Sequence, residues 1–316
     1  MKMSVLLLSL AMTATSAAST TEPVRCSTPD PSQATVVRML EQAKARSHVV
    51  APPEVIKILW HDIRRSDGTG ALSDAALQSQ LVALNSAMRA NGMPITFEIY
   101  RLQNPSINDA WFTSCKDNQE MIRQLSYRPE NYINVFSCED ASSLGWAYQP
   151  YAEGYTEHST NNRVYVDYKT LPGGAYPDYN LGATLVHEIG HYLGLVHVFY
   201  PNPEEGTHNI CEQGGNPWTG GGNPNFWGDF VADTPAQKQA THRCPAQAPS
   251  SCPGAVDSIH NFMDYSYDSC LTTFSPGQRD LLYYVSSAYR PTLWSGGRDS
   301  GQRSMTPVLV KIKSEE

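Results

Sequence analysis

The chain has 316 residues, of which 41% are hydrophobic and 17% are charged. This composition excludes an intrinsically disordered protein and allows one large globular domain or two small ones. The formal net charge is −8 and no run of basic residues occurs, which argues against a nucleic-acid partner.

The N-terminus has the pattern of a secretory signal peptide, which we assign to residues 1–18. Lys2 supplies the positive charge, residues 5–12 form a short apolar run, and residues 16–18 are a small-residue cleavage site. The apolar run is far shorter than the ~20 residues that span a bilayer, and no later stretch is long and apolar enough. We therefore expect a secreted, extracellular protein without a membrane partner.

Hydrophobic periodicity along the rest of the chain predicts an α/β (α+β) protein. Ser73 is a favourable N-cap, and Asn91-Gly92 is a helix stop. In chain order we predict helix 36–45, strand 54–60, helix 74–90, strand 95–101, helix 117–125, strands 132–136 and 163–168, helix 181–193 and helix 276–288. Helices and strands in this order predict an open, twisted mixed sheet.

The helix predicted to end near residue 193 carries a metal-binding motif. His187 and His191 are four residues apart, so both imidazoles lie on one helical face. Gly194 can end the helix sharply, which would let His197 turn back as a third ligand. Three histidines leave the fourth tetrahedral position open, as in catalytic zinc sites. Glu188 does not share the ligand face, and its carboxylate is predicted to be the general base toward a zinc-activated water.

The pattern His-Glu-x-x-His-x-x-Gly-x-x-His resembles that of the metzincin zinc peptidases. Asn-Phe-Met-Asp-Tyr at residues 261–265 resembles the methionine turn of that clan. Together with Asp-Thr-Pro at residues 233–235, it makes the chain similar to the pappalysin branch, in particular the secreted fungal metalloproteases. The resemblance spans roughly residues 55–289. It implies a metzincin catalytic domain, in which a twisted mixed sheet and an active-site helix lie above a loop-rich, disulfide-bonded C-terminal subdomain.

The resemblance also implies roles for single residues. Met263 would form a soft floor under the zinc. Tyr265 would hydrogen-bond the oxyanion, unless it is only a packed aromatic residue of the turn. Arg25-Cys26-Ser27 resembles the Arg-Cys-Gly-like triplet of related zymogens, whose thiolate fills the open zinc position, although Ser27 replaces the glycine. The alternative is that Cys26 is bridged elsewhere or left free.

Seven cysteines remain after the signal peptide, an odd number that leaves one unpaired in an oxidising compartment. The sequence alone cannot choose among the many pairings that six cysteines allow. The resemblance implies Cys211–Cys252 and Cys244–Cys270, with Cys115–Cys138 as the remaining pair.

Residues 201–252 are crowded with Gly, Pro and Asn and lack any helical or strand period. A loop this long inside a compact domain is uncommon unless it is functional or cross-linked. The resemblance implies calcium in this region, where Asp229, Asp233 and Thr234 offer oxygen ligands. The alternative is a polar surface loop that stops at Pro235.

We therefore predict a propeptide at residues 19–48 and a catalytic domain at residues 49–290. The catalytic domain is divided into an N-subdomain up to residue 197 and a C-subdomain over residues 198–290. Residues 291–316 are predicted to form a polar tail, which is frayed from residue 295 onward.

These features predict a monomeric zinc endopeptidase, with one zinc per chain, that hydrolyses protein or peptide substrates. One alternative is a zinc-bearing binding protein that has lost catalysis, but neither Glu188 nor a ligand is missing from the sequence. The other is a zinc hydrolase with a distant Glu as third ligand, against which the spacing of His197 argues.

Asp268 and Ser269, just after the methionine turn, are placed to border the specificity pocket, where Asp268 would favour a basic side chain.

Overall fold

A computed structural model of the protein describes residues 23–46, 55–93, 95–140, 142–200, 211, 228–296 and 308–313. The predicted signal peptide and residues 201–210 and 212–227 of the predicted long loop lie outside the described residues. None of the described helices combines the length and the apolar character needed to cross a membrane.

The described residues form seven strands that belong to one mixed sheet. The strands are β1 (Val55–Arg64), β2 (Thr96–Leu102), β3 (Ser106–Ile107), β4 (Ile133–Cys138), β5 (Gly145–Ala147), β6 (Arg163–Asp167) and β7 (Leu309–Lys311). The order across the sheet is β5-β6-β4-β1-β2-β7, and β3 pairs with the end of β1. The four central strands are parallel, whereas β5 and β7 are antiparallel to their neighbours at the two edges.

Seven α-helices accompany these strands in the described part of the chain. They are α1 (Gln33–Arg46), α2 (Asp74–Ala90), α3 (Asp109–Phe112), α4 (Gln119–Leu125), α5 (Ala183–Tyr192), α6 (Pro276–Tyr289) and α7 (Pro291–Trp294), and a 3₁₀ turn covers Tyr168–Thr170. The mixed α/β architecture predicted from the sequence is thereby confirmed.

Helix α2 illustrates how local sequence sets these elements. Ser73 Oγ accepts a hydrogen bond from Ala76 N at 3.1 Å and caps the first turn. One face of α2 is buried, through Leu77, Leu81 and Leu84 among others. That face packs on β2 and on α5, so α2 braces the helix that carries the metal-binding motif.

The central strand β1 is buried along most of its length because the sheet is covered on both faces. Ile58 and Trp60 belong to the main core, which extends to α5 and α6. Ile63 belongs to a smaller cluster on the other face, beside Phe112 and Phe136. The core therefore holds the sheet, α5 and α6 together as one body.

Three disulfides tie down the loops of this body. They join Cys115 to Cys138, Cys211 to Cys252 and Cys244 to Cys270, which is the pairing that the resemblance implies. Cys26 is a free, buried thiol.

The structure differs from the prediction of a polar tail over residues 291–316, frayed from residue 295 onward. Leu293 and Trp294 of α7 are buried in the core. Strand β7 pairs with the edge of β2, and Ile312 beyond it is also buried. The stretch is polar overall, but a few of its apolar residues are buried and attach it to the fold.

Candidate metal centre

Helix α5 and the turn after it bring three histidines together. His187 and His191 lie one turn apart on α5, and every residue of that helix is buried. Gly194 has φ 111°, a left-handed conformation that glycine adopts without steric cost. A Cβ at Gly194 would also lie 2.4 Å from Val285 Cγ1, so packing against α6 requires glycine as well. The chain turns at this point, and His197 lies against the other two histidines.

One nitrogen of each imidazole faces the others. His191 Nε2 lies 3.0 Å from His187 Nε2 and 3.0 Å from His197 Nε2. Two nitrogens that each bind a tetrahedral zinc at about 2.0–2.1 Å lie about 3.3–3.4 Å apart. The observed separations are close to those of a three-histidine zinc site.

The other ring nitrogens determine the tautomers. His187 Nδ1 lies 2.6 Å from the carbonyl oxygen of Phe262, and His191 Nδ1 lies 2.9 Å from that of Leu195. Because a carbonyl oxygen only accepts, each Nδ1 carries the hydrogen and each neutral ring presents a bare lone pair at Nε2. Burial, and then the neighbouring histidines, lower the pKa of His187 and His191 well below the ordinary value. Converging, buried lone pairs are unfavourable unless a cation lies among them, so this donor set fits a zinc ion.

Cys26 is the fourth member of this cluster. The ligand atoms of Cys26, His187, His191 and His197 all lie within 4.8 Å of one another. Burial, and then the Glu188 carboxylate, raise the pKa of the Cys26 thiol well above its ordinary value. A thiolate at this position would therefore need a cation beside it, and zinc is a cation that binds thiolates well.

Cys26 is carried by residues 23–46, which we call the N-terminal segment. Its first part is extended and lies beside edge strand β5. Cys26 and Gly145 form a parallel β-bridge, in which Ser27 N donates a hydrogen bond to Gly145 O at 3.0 Å. Its second part is α1, which packs on α6. The N-terminal segment thus crosses the metal centre before it docks on the body of the protein.

Glu188 is buried beside the histidines. Its Oε2 accepts a hydrogen bond from Thr28 Oγ1 at 3.1 Å, whereas Oε1 has no hydrogen-bond partner among the described residues. Thr28 Oγ1 in turn accepts a hydrogen bond from Ala147 N on β5 at 2.8 Å. Burial raises the pKa of the Glu188 carboxyl to about 8, although hydrogen bonds from Cys26 and Thr28 lower it. A buried carboxyl group beside a metal centre is placed to transfer protons as a general base.

The turn at residues 261–265 lies beneath the histidines. Met263 is fully buried. The Tyr265 hydroxyl donates a hydrogen bond to the Cys26 carbonyl oxygen at 3.1 Å and lies 3.2 Å from His197 Nε2. Burial raises the pKa of Tyr265 well above its ordinary value, so the phenol stays protonated and can donate to a carbonyl oxygen at the metal centre.

Asp268 follows the turn at residues 261–265 and forms a buried ion pair with Arg25, the neighbour of Cys26 in the N-terminal segment. Arg25 Nη1 and Nη2 lie 3.0 and 2.6 Å from Asp268 Oδ1, and both side chains are almost completely buried. Asp268 Oδ2 accepts hydrogen bonds from the backbone N–H groups of Leu181 and Ala183, at 2.9 and 3.1 Å. The ring of Tyr179 lies 5.3 Å from the Arg25 guanidinium. The Asp268 carboxylate and the Tyr179 ring therefore hold a planar cation.

The three residues predicted to bind calcium are engaged with other protein groups. Thr234 Oγ1 donates to Asp229 Oδ1 at 2.7 Å. Asp233 is exposed and accepts hydrogen bonds from Ser275 Oγ and Gly277 N, at the N-terminus of α6. The Oδ2 atom of Asp229 is buried and lacks a hydrogen-bond partner among the described residues. Asp233 thus stabilises α6, and calcium at these residues stays a prediction.

The sequence of the chain matches a known peptidase family. Residues 116–284 match the model of peptidase M43, described as pregnancy-associated plasma protein-A. The chain belongs to this family. It is a metalloendopeptidase of the pappalysin branch of the metzincins, as the motif indicates.

Several relatives with curated descriptions come from fungi. An extracellular metalloprotease of Arthroderma gypseum is 36% identical over 217 residues, which cover 67% of this chain and 66% of that protein. An extracellular metalloprotease of Sordaria macrospora is 31% identical over 293 residues, which cover 87% of this chain and 92% of that protein. The family likeness thus extends well beyond the metal-binding motif.

Two solved structures share the fold of this pappalysin. A promirolysin variant of Tannerella forsythia superposes with a TM-score of 0.65 at 21% identity, covering 85% of this chain and 97% of that chain. Mature mirolysin of the same organism, in complex with a cleaved peptide, has a TM-score of 0.58 at 21% identity and covers 78% of this chain and 97% of that chain. The predicted metzincin fold is thereby confirmed.

Proposed function

We propose that the protein is the latent precursor of a secreted zinc endopeptidase, in which His187, His191 and His197 hold the zinc and Glu188 is the general base. The observation that carries this proposal is the convergence of three buried Nε2 atoms, in which His191 Nε2 lies 3.0 Å from the Nε2 atoms of both His187 and His197. The extracellular relatives support secretion. The signal peptide at residues 1–18 and the propeptide at residues 19–48 belong to the same proposal.

Bound zinc would polarise the substrate carbonyl and lower the pKa of a nearby water. The residues of this chain then handle the protons. Glu188 accepts the proton of the attacking water and passes it to the nitrogen of the leaving amine. Tyr265 donates its phenolic hydrogen to the carbonyl oxygen as negative charge develops there, a contact worth roughly 2.7–4 kcal/mol in comparable oxyanion sites. Its hydrogen bond to the Cys26 carbonyl oxygen supports this role, because there it already donates to a peptide carbonyl.

The N-terminal segment prevents this chemistry at two groups. The Cys26 thiol takes the position that the open site offers to water. Thr28 donates a hydrogen bond to Glu188, so the general base already has a partner. Removal of residues 19–48 would free both groups at once.

The proton-transfer role is tested with Glu188→Gln in the processed enzyme. We expect zinc content to stay near one per chain and casein hydrolysis to fall by about 10²–10⁴-fold, the range that general acid–base catalysis contributes. Hydrolysis at the parent rate by Glu188→Gln would falsify the assignment of the base.

Latency is tested with Cys26→Ser in the full-length chain, and Ser27→Ala is a matched control in the same triplet. Ser27 Oγ contacts Ser143 Oγ at 2.7 Å and does not reach the metal centre. We expect Cys26→Ser to cleave casein or process itself much sooner than the parent, and Ser27→Ala to remain latent. Equal latency in both variants would contradict the role of the thiol.

We also propose that Asp268 selects a basic substrate side chain once Arg25 no longer pairs with it. The buried carboxylate, already positioned by two backbone N–H groups, would otherwise be left without a cation. In a library of peptides, the parent should prefer Arg or Lys on one side of the cut bond, and Asp268→Asn should lose that preference. A parent that shows no basic preference would rule this selection out.

A further inference from the structure

His197 differs from the other two histidines in what holds its second ring nitrogen. Its Nδ1 lies 2.8 Å from Asp30 Oδ1, in a contact between residues 167 positions apart in the sequence. The imidazole is 2% exposed and the carboxylate 13% exposed, so the pair is largely shielded from water. A carboxylate oxygen accepts, which leaves the hydrogen on Nδ1 and the lone pair on Nε2 facing the metal centre.

The corresponding partners of His187 and His191 are the backbone carbonyl groups of Phe262 and Leu195. Neither carbonyl belongs to the N-terminal segment. His197 also lies beyond the end of α5, so the helix does not fix its ring as it fixes the other two. Among the described residues, the acceptor recorded for His197 Nδ1 is Asp30.

Spacing along the extended part of the N-terminal segment explains how Asp30 reaches this ring. In an extended chain, alternate side chains lie on the same side. Cys26, Thr28 and Asp30 are spaced in this way, and each meets a different group of the centre. The Cys26 thiol joins the histidine cluster, the Thr28 hydroxyl reaches Glu188, and the Asp30 carboxylate reaches His197.

We propose that Asp30 is the positioning residue of the third metal ligand, and that the precursor therefore binds zinc more tightly than Cys26 alone would explain. The proposal rests on the three-histidine zinc site of the proposed function. A histidine that binds a metal generally donates its other ring N–H to a carboxylate or carbonyl, which fixes the ring and strengthens the ligand. Loss of such a partner typically lowers metal affinity about 10–100-fold. When the N-terminal segment leaves, His197 loses this partner together with the thiol.

The test measures zinc affinity in the full-length chain by competition with a chromophoric chelator. Every protein carries Glu188→Gln so that it cannot cut itself. Asp30→Ala should weaken zinc binding about 10–100-fold. Asp30→Asn keeps an oxygen that can accept from Nδ1 and should retain most of the affinity. Glu41→Ala is the control, because Glu41 is exposed on α1 and its removal changes the net charge of the same segment equally.

Cobalt substitution separates a role at His197 from simple release of the segment. If Asp30→Ala still shows the sulfur-to-cobalt charge-transfer band of the parent, Cys26 remains at the metal and the lost affinity belongs to His197. Equal zinc affinity in Asp30→Ala and Glu41→Ala would overturn the proposal, as would an equal loss in Asp30→Ala and Asp30→Asn. A parent chain that binds no zinc would overturn the proposed function itself, which is a different result.

Discussion

Gly190 and Met263 are packed so closely that a Cβ added to Gly190 would lie 2.5 Å from the Met263 sulfur. Gly190 lies on α5 immediately before His191, and Met263 belongs to the turn beneath it. The neighbour of Met263 in that turn, Phe262, provides the carbonyl oxygen that holds His187 Nδ1. The missing side chain of Gly190 thus lets the turn approach the metal-binding helix.

Gly190→Ala should destabilise the protein although alanine is the better helix former. The added methyl group would displace Met263, and overpacking of this kind costs about 1–3 kcal/mol, against the ~1 kcal/mol gained in helix propensity. Urea unfolding measures the difference. The double variant Gly190→Ala/Met263→Ala should lose less stability than the sum of the losses in the two single variants, because the added methyl group then has space. Strictly additive losses would show that the two residues are not coupled.

Gly145→Ala should damage catalysis rather than folding. A Cβ at Gly145 would lie 2.4 Å from Glu188 Oε1 and 2.7 Å from its Cγ, so the carboxylate must move away from its position. In the processed enzyme we expect a fall in kcat of about 10²–10⁴-fold, with the circular dichroism spectrum and the zinc content unchanged. A variant that keeps the parent kcat would mean that the carboxylate can move without loss of function.

Arg25→Ala should loosen the N-terminal segment. The substitution leaves the buried Asp268 without its cation, and breaking a buried ion pair costs about 3–5 kcal/mol. We expect an added non-specific protease to cut residues 23–46 faster in this variant than in the parent. Arg25→Ala/Asp268→Asn should recover part of the protection, because the unpaired charge is gone. Equal cutting of parent and Arg25→Ala would show that the pair does not hold the segment.

His61 should make the protein less stable in acid. It is fully buried, stacks on Phe136, and burial lowers its pKa from 6.5 to about 4. Between these two values the unfolded chain binds a proton that the folded chain does not, so stability rises with pH from about 4 to 6.5. At pH 4 and below, the loss approaches about 3 kcal/mol. The free energy of unfolding of His61→Gln should show a correspondingly smaller drop between pH 7 and pH 4, and identical slopes for the two proteins would contradict the assignment.

The sequence predicts best where a local pattern determines the structure. The bounds of α2 are predicted to the residue because Ser73 and Asn91-Gly92 mark its two ends. The spacing from His187 to His197 predicts the three-histidine cluster because one helical turn and one glycine bend are enough to assemble it. Metal ligands that are close in sequence are the easiest part of such a site to find.

Contacts between distant residues are not predictable in this way. Arg25 contacts Asp268 across 243 positions, and Thr28 contacts Glu188 across 160 positions. The local sequence around each residue does not predict which distant residue it contacts. Strand β5 has only three residues and begins with a glycine, so it lacks the length and periodicity of a strand signal. The alternation of Cys26, Thr28 and Asp30 was the available hint, and it becomes informative only once the segment is known to be extended.

The distribution of sulfur in this fold has a consequence for the proposed processing of the enzyme. Six cysteines are joined in three disulfides, and the seventh, Cys26, lies on the N-terminal segment. The proposed cut would remove the single free thiol of the chain. The processed enzyme would then hold no thiol able to attack its own disulfides by thiol exchange. Burial shields the same thiol from oxidants until the cut is made.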